Sequence, residues 1–119
     1  MSQSKLQERF FKEKPKMRLG HLASDLARIA FLLGKELEKK TVESVMNESK
    51  FFAEWAAQDV DLETQMLLAE IQGCLAQWEL EWSSLSANIA WKNKAARILR
   101  TWSDELLKRA GFFDSDERS

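Results

Sequence analysis

The sequence predicts an all-α fold, an antiparallel up-down bundle of about four helices, and three observations predict it. Strand formers are scarce: Val, Ile and Thr together number ten of 119 residues, and Tyr is absent. Four Gly and one Pro leave few turns. Apolar residues recur at intervals of three and four and nowhere alternate for long. With 45% apolar and 31% charged residues, the composition is that of a globular domain. The length suffices to bury a core without disulfides or a structural metal. The expected organisation is a basic N-terminal arm over 1–16, a helical domain over 17–113 and a polar tail over 114–119.

In the arm, Leu6 and Phe10 are four apart and share one face of a short helix. Pro15 separates the arm from the helical domain. The pattern leaves open whether the arm frays or docks through Phe10 and Phe11. A first long helix is expected from Met17 to Leu37, with Leu19, Leu22, Leu26, Ile29 and Leu33 as its stripe. Ala23, Ala27 and Ala30 widen that stripe, and Asp25, Arg28 and Glu36 fall outside it. Gly34 and the charges of 35–40 mark its end.

A second helix is expected from Thr41, as N-cap, to Ala57. Val42, Val45, Phe52 and Ala56 form its inner face, and Phe51 with Trp55 forms an exposed aromatic edge. Asp59 and Asp61 offer a cap and favourable charge to the third helix, Leu62 to Ser83. Its expected stripe is Leu67, Ile71, Cys74, Trp78 and Trp82, with Trp78 and Trp82 stacked. On another face Ala69, Gly73, Ala76 and Leu80 are small or apolar. Gly73 costs about 1 kcal/mol relative to Ala in a helix interior, which a close packing contact would offset.

The stretch 83–88, rich in Ser, is the weakest for helix, and the pattern leaves open whether it turns or continues one long helix. The fourth helix reaches Ala110 with the stripe Trp91, Ala95, Ile98, Trp102 and Leu106. Lys108 and Arg109 sit in its last turn, Gly111 suits a left-handed C-cap, and Phe112 and Phe113 fold back onto its end.

Charge excludes little globally, since 18 basic residues face 19 acidic ones. Locally it is uneven. Residues 1–40 carry ten basic and five acidic groups, 51–91 seven acids and no Lys or Arg, and 92–110 six basic and two acidic groups. A negative third helix between positive neighbours is the plain reading. An electropositive face meeting an anionic partner such as nucleic acid, with Lys94, Arg97, Arg100 and Lys108 on the fourth helix, is the alternative.

The chemistry-bearing residues are few. His21 and Asp25 are four apart, a spacing that suits a metal, but two ligands are too few and no second His exists. An ion pair or plain exposure is expected there. Glu-x-x-His pairs, a Gly-rich phosphate loop and a G-x-S-x-G turn are all missing. No catalytic, cofactor or metal residues are therefore assigned, and no enzyme is expected. Cys74 stands alone in an apolar stretch and reads as a small hydrophobe. The five Trp residues fit a core, a partner surface or a pocket for a flat ligand, and the sequence does not choose among them.

The segments Leu22-Ala23-Ser24-Asp25-Leu26-Ala27-Arg28-Ile29-Ala30 and Glu48-Ser49-Lys50-Phe51-Phe52-Ala53-Glu54-Trp55 resemble small all-helical hypothetical proteins of cyanobacteria. The resemblance spans about residues 18–113 and implies a bacterial cytoplasmic protein. It brings no activity or functional residues.

The expectation is thus a cytoplasmic protein-interaction module, an adaptor or regulator without cofactors, binding another protein or a second copy of itself. Phe31, Leu32, Phe51, Trp55, Leu68 and Leu80 are its candidate contact residues, because they extend beyond one bundle seam. Neither a signal region nor a membrane span is expected.

Overall fold

The computed structural model describes residues 3–35 and 39–112. The expected first-helix end at Leu37, the docking of Phe113 and the tail over 114–119 lie outside them. Among the described residues every regular element is helical. These are α1 (Gln3–Phe11), α2 (Pro15–Leu32), α3 (Lys39–Ala56), α4 (Leu62–Leu80), α5 (Trp82–Leu85) and α6 (Ile89–Arg109), with a 3-10 turn at Ala57–Asp59. The four long helices are those expected from the periodicity. α2 packs on both α3 and α6, and α3 packs on α4.

Local chemistry sets the helix ends. Pro15 opens α2, and Lys14 before it is extended at φ −68°, ψ 152°. The Asp61 carboxylate caps α4, accepting from the Thr64 backbone N–H at 2.9 Å. Asn88 caps α6 through the Trp91 N–H at 2.9 Å. At the other end of α6, Gly111 has φ 88°. Its N–H donates to the Lys108 carbonyl at 3.0 Å, and that of Phe112 to the Leu107 carbonyl at 2.9 Å. This pair of bonds is a Schellman motif, which needs a residue free to adopt the left-handed region. α3 begins at Lys39, so Thr41 lies inside its first turn and is not the cap.

The serine stretch does not continue the helix. The backbone leaves helical geometry at Glu81 (φ −100°, ψ 12°), makes the single turn of α5 and is extended again at Asn88. Trp82 holds that turn by burying its ring.

Leu22, Leu26, Ile29, Val42, Met46, Leu68, Ile71, Leu75, Leu99 and Leu106 form the water-free centre. On α2 the expected stripe is buried as read. On α4 the stripe is rotated: Leu68, Ile71 and Leu75 are buried, while Leu67, Cys74 and Trp78 are half-buried beside them. On α6 Leu99 takes the central place, and Ile98 is half-buried. The branched aliphatics fill the interior, and the larger indoles close it at the side. Trp78 stacks on Trp102 at 5.8 Å, and Trp82 meets Trp91 edge-on at 6.2 Å, so Trp78 and Trp82 do not stack on each other.

The arm is docked. Phe10 is buried and stacks on Phe52 at 4.5 Å. Arg18 fixes the corner between α1 and α2. Its guanidinium donates to the Glu13 carbonyl at 2.8 Å, to the Phe11 carbonyl at 3.1 Å and to the Asp59 carboxylate, and it lies over the Phe11 ring. One buried fork thus ties the α1–α2 turn to the end of α3. The Ser103 hydroxyl donates to the Ala23 carbonyl at 2.8 Å where α6 crosses α2.

Asp25, expected outside the stripe, is buried between α2 and α3. Burial, then a hydrogen bond with Glu48 and the charge of that residue, push its carboxyl up to about 8, with Arg28 opposing. One Asp25 oxygen (Oδ2) and the Ser49 hydroxyl have no hydrogen-bond partner among the described residues. A pKa raised above its unfolded value of about 3.9 means that the fold holds the proton more tightly. The associated stability is complete below about pH 4 and is lost as pH rises through 8. The urea midpoint should therefore fall between pH 5 and 8.5. Asp25→Asn should flatten that slope and gain about 2 kcal/mol at pH 8.5. Parallel pH profiles for the two proteins would contradict this placement of the charge.

Candidate functional site

α4 bears apolar residues on two opposite sides, with polar edges between them. One side faces the core through Leu68, Ile71 and Leu75. The opposite side carries Leu62, Met66, Ala69, Gly73 and Leu80, which span an arc of about 60° at roughly 100° per residue. All five are exposed, Leu62 at 71%, Met66 at 65% and Leu80 at 82%. From end to end the stripe runs about 27 Å, five helical turns. A helix with apolar residues on two opposite sides normally has neighbours on both.

Gly73 lies at the middle of this stripe. A Cβ placed there meets nothing within 4 Å. The close packing contact expected to offset the cost of this glycine is therefore not made among the described residues. Gly20 shows the contrast: a Cβ there would come within 2.9 Å of the Phe112 ring, so its lack of a side chain serves the fold.

The edges of the stripe are fixed by what α4 touches. On one edge, Gln65 donates to the Ala57 carbonyl at 2.9 Å, Gln72 to the Glu54 carboxylate at 3.2 Å, and Lys50 reaches Glu79 at 2.8 Å. On the other edge stand Glu63 and Glu70, seven apart, with Glu81 eleven further on at the helix end. Glu63 pairs with Arg109 at 3.1 Å, and Glu81 accepts from Gln77. Among the described residues no cation pairs with Glu70 or Glu81. Burial, and after it the charge of Glu70, push the half-buried Cys74 thiol above the usual thiol range.

The six candidate contact residues separate. Phe31 and Leu80 are exposed and Phe51 is half-buried. Leu32, Trp55 and Leu68 are core residues and offer no surface. Trp55, at 4% exposure, lies beneath Phe10, Phe11 and Phe51, since the docked arm covers the edge expected to be open. Leu62 and Met66 are exposed residues that the sequence reading does not single out. Their spacing of four and three into Ala69, then four to Gly73 and seven to Leu80, is the signal that could have found them.

Lys94, Arg97, Arg100 and Lys108 are all exposed on α6, but Asp104 stands in the same row. His21 pairs with Glu13 at 3.1 Å rather than with Asp25, which turns inward to Glu48. Among the described residues no three His, Cys, Asp or Glu side chains converge as metal ligands. No described helix is long and apolar enough to cross a membrane. A 610 Å³ cleft between α2 and α6, lined by Met17, Gly20, His21 and Phe112, and a 480 Å³ cleft, lined by Arg9, Glu13, Ser44 and Glu48, contain no Trp. Trp78, Trp82, Trp91 and Trp102 pack on one another, and Trp55 packs on phenylalanine rings, instead of enclosing either space. No protein-family model, curated protein or solved structure matches the chain.

Because no described residue uses the space at Gly73, Gly73→Ala should raise stability by about 1 kcal/mol in urea unfolding. Gly20→Ala should lower it. A destabilised Gly73→Ala would show that the glycine serves the chain's own packing.

Proposed function

We propose that this protein is a helical interaction module, an adaptor or regulator of the bacterial cytoplasm, whose docking surface is the outer face of α4. In this reading the four long helices form one up-down bundle that presents the face, and no catalysis is involved. The observation that carries it is the exposed row Leu62, Met66, Ala69, Gly73 and Leu80 on a helix already committed to the core on its other side. Leu62, Met66 and Leu80 gain nothing from the chain's own folding, and a partner's surface would take them out of water. Gly73 at the centre admits another backbone closely.

The second reading is an anion-binding α6, favoured by the exposure of Lys94, Arg97, Arg100 and Lys108. Site-directed photo-cross-linking in living cells separates the two. Benzoylphenylalanine at Met66 should give protein adducts that Leu62→Gln with Leu80→Gln abolishes, and the same group at Arg97 should give none. Adducts only at Arg97, or to nucleic acid, would transfer the function to α6.

A further inference from the structure

We infer that the occupant of the α4 face is a basic amphipathic helix of a partner protein. This rests on the docking reading above and adds what the partner must be made of.

Three features of the face restrict its occupant. The stripe is straight, narrow and about 27 Å long, which fits a helix of roughly 18 residues laid along it. Its apolar members, Leu62, Met66 and Leu80, call for an apolar row in return. The edge toward α6 carries Glu63, Glu70 and Glu81, and residues 51–91 supply no Lys or Arg to meet them. Of these three, Glu63 alone has a partner cation among the described residues, Arg109 from α6. An occupant with Lys or Arg along the matching edge would satisfy Glu70 and Glu81.

A second copy of the chain does not meet these conditions. In an antiparallel two-fold pairing of α4 with itself, each edge lies against its own copy, so Glu63, Glu70 and Glu81 would face the same three acids. Like charges placed together across an interface cost affinity. The parallel pairing sets the acidic edge against the copy's Gln65, Gln72 and Glu79, where the one cation, Lys50, is already paired with Glu79. The α6 face supplies the charge, through Lys94, Arg97, Arg100 and Lys108, but its exposed row is polar, with Asn93, Thr101 and Asp104 among these cations. Its one large exposed apolar residue among the described residues, Ile89 at the N-terminal end, makes no row to set against Leu62, Met66 and Leu80. The N-terminal helix is basic, but its large apolar residues Phe10 and Phe11 are already packed on Phe52 and Trp55. A partner that is both basic and apolar on one helix face remains, a recurrent mode of helix recognition.

The test is calorimetric titration of the whole protein with three synthetic 18-residue helical peptides. They share one leucine stripe, flanked by Lys, Gln or Glu. The Lys-flanked peptide should bind at least tenfold more tightly than the Gln-flanked one, and the Glu-flanked one should not bind. Glu70→Gln with Glu81→Gln should weaken the Lys-flanked peptide by about tenfold, and raised salt should do the same. Met66→Gln with Leu80→Gln should abolish binding while leaving the urea midpoint unchanged. Equal binding of all three peptides would overturn the basic partner and leave the docking face standing. Binding of the Lys-flanked peptide that ignores the Met66 and Leu80 changes would overturn both. Sedimentation equilibrium showing a dimer of the protein alone, dissolved by Met66→Glu, would replace the partner with a second copy.

Discussion

The inner side of α4 is committed to the core through Leu68, Ile71 and Leu75, which leaves its second apolar stripe facing water. None of the described residues relieves this. α3 holds one edge of α4 through Gln65, Gln72 and Glu79, and α6 reaches the other through Arg109 and the Trp78–Trp102 stack. With both edges held, α4 cannot rotate its outer row inward without expelling Leu68 and Leu75. The open face is thus a consequence of the packing.

The rest of the molecule serves to hold α4 in that attitude. α2 is the hub, with α3 on one side and α6 on the other. Close approach to α6 is possible where Ala23 and Ser103 meet, their hydrogen bond satisfying a buried hydroxyl. Arg18 sets the corner between α1 and α2 and anchors the end of α3, from which the chain turns through Asp59 and Asp61 into α4. The charge sequence runs in the same order. The acids of 51–91 lie along α4 and its approach, and Lys50 and Arg109 reach in from the flanking helices to pair with Glu79 and Glu63.

The all-helical class and the four long helices are legible in the sequence, because the core stripes of α2 and α3 rest on aliphatic and aromatic residues at unbroken spacing. The caps at Asp61 and Gly111 lie where their side chains, or the lack of one, dictate. The α4 stripe is not legible, because the indoles of Trp78 and Trp82 outweigh Leu68 and Leu75 in any count of apolar area. In the fold, the smaller branched chains fit the crowded centre, and the wide rings close its margin. Trp55 reads as a surface residue because its cover, Phe10 of the arm, lies 45 residues away in sequence. Asp25 is invisible as a buried residue, since only the fold brings Glu48 beside it. The outer face of α4 is half legible: the small residues at 69, 73 and 76 stand out, while Leu62 and Met66 fit a core stripe equally well.

The methionine methyl groups give the most direct measurement of the central claim. Met66 lies on the open face of α4, Met17 is exposed on α2, and Met46 is wholly buried in α3. In protein labelled at the methionine methyls, addition of a Lys-flanked amphipathic helical peptide should shift and broaden the Met66 signal while those of Met17 and Met46 stay in place. A shift at Met17 with Met66 unmoved would place docking on the α2 side of the molecule and contradict the account.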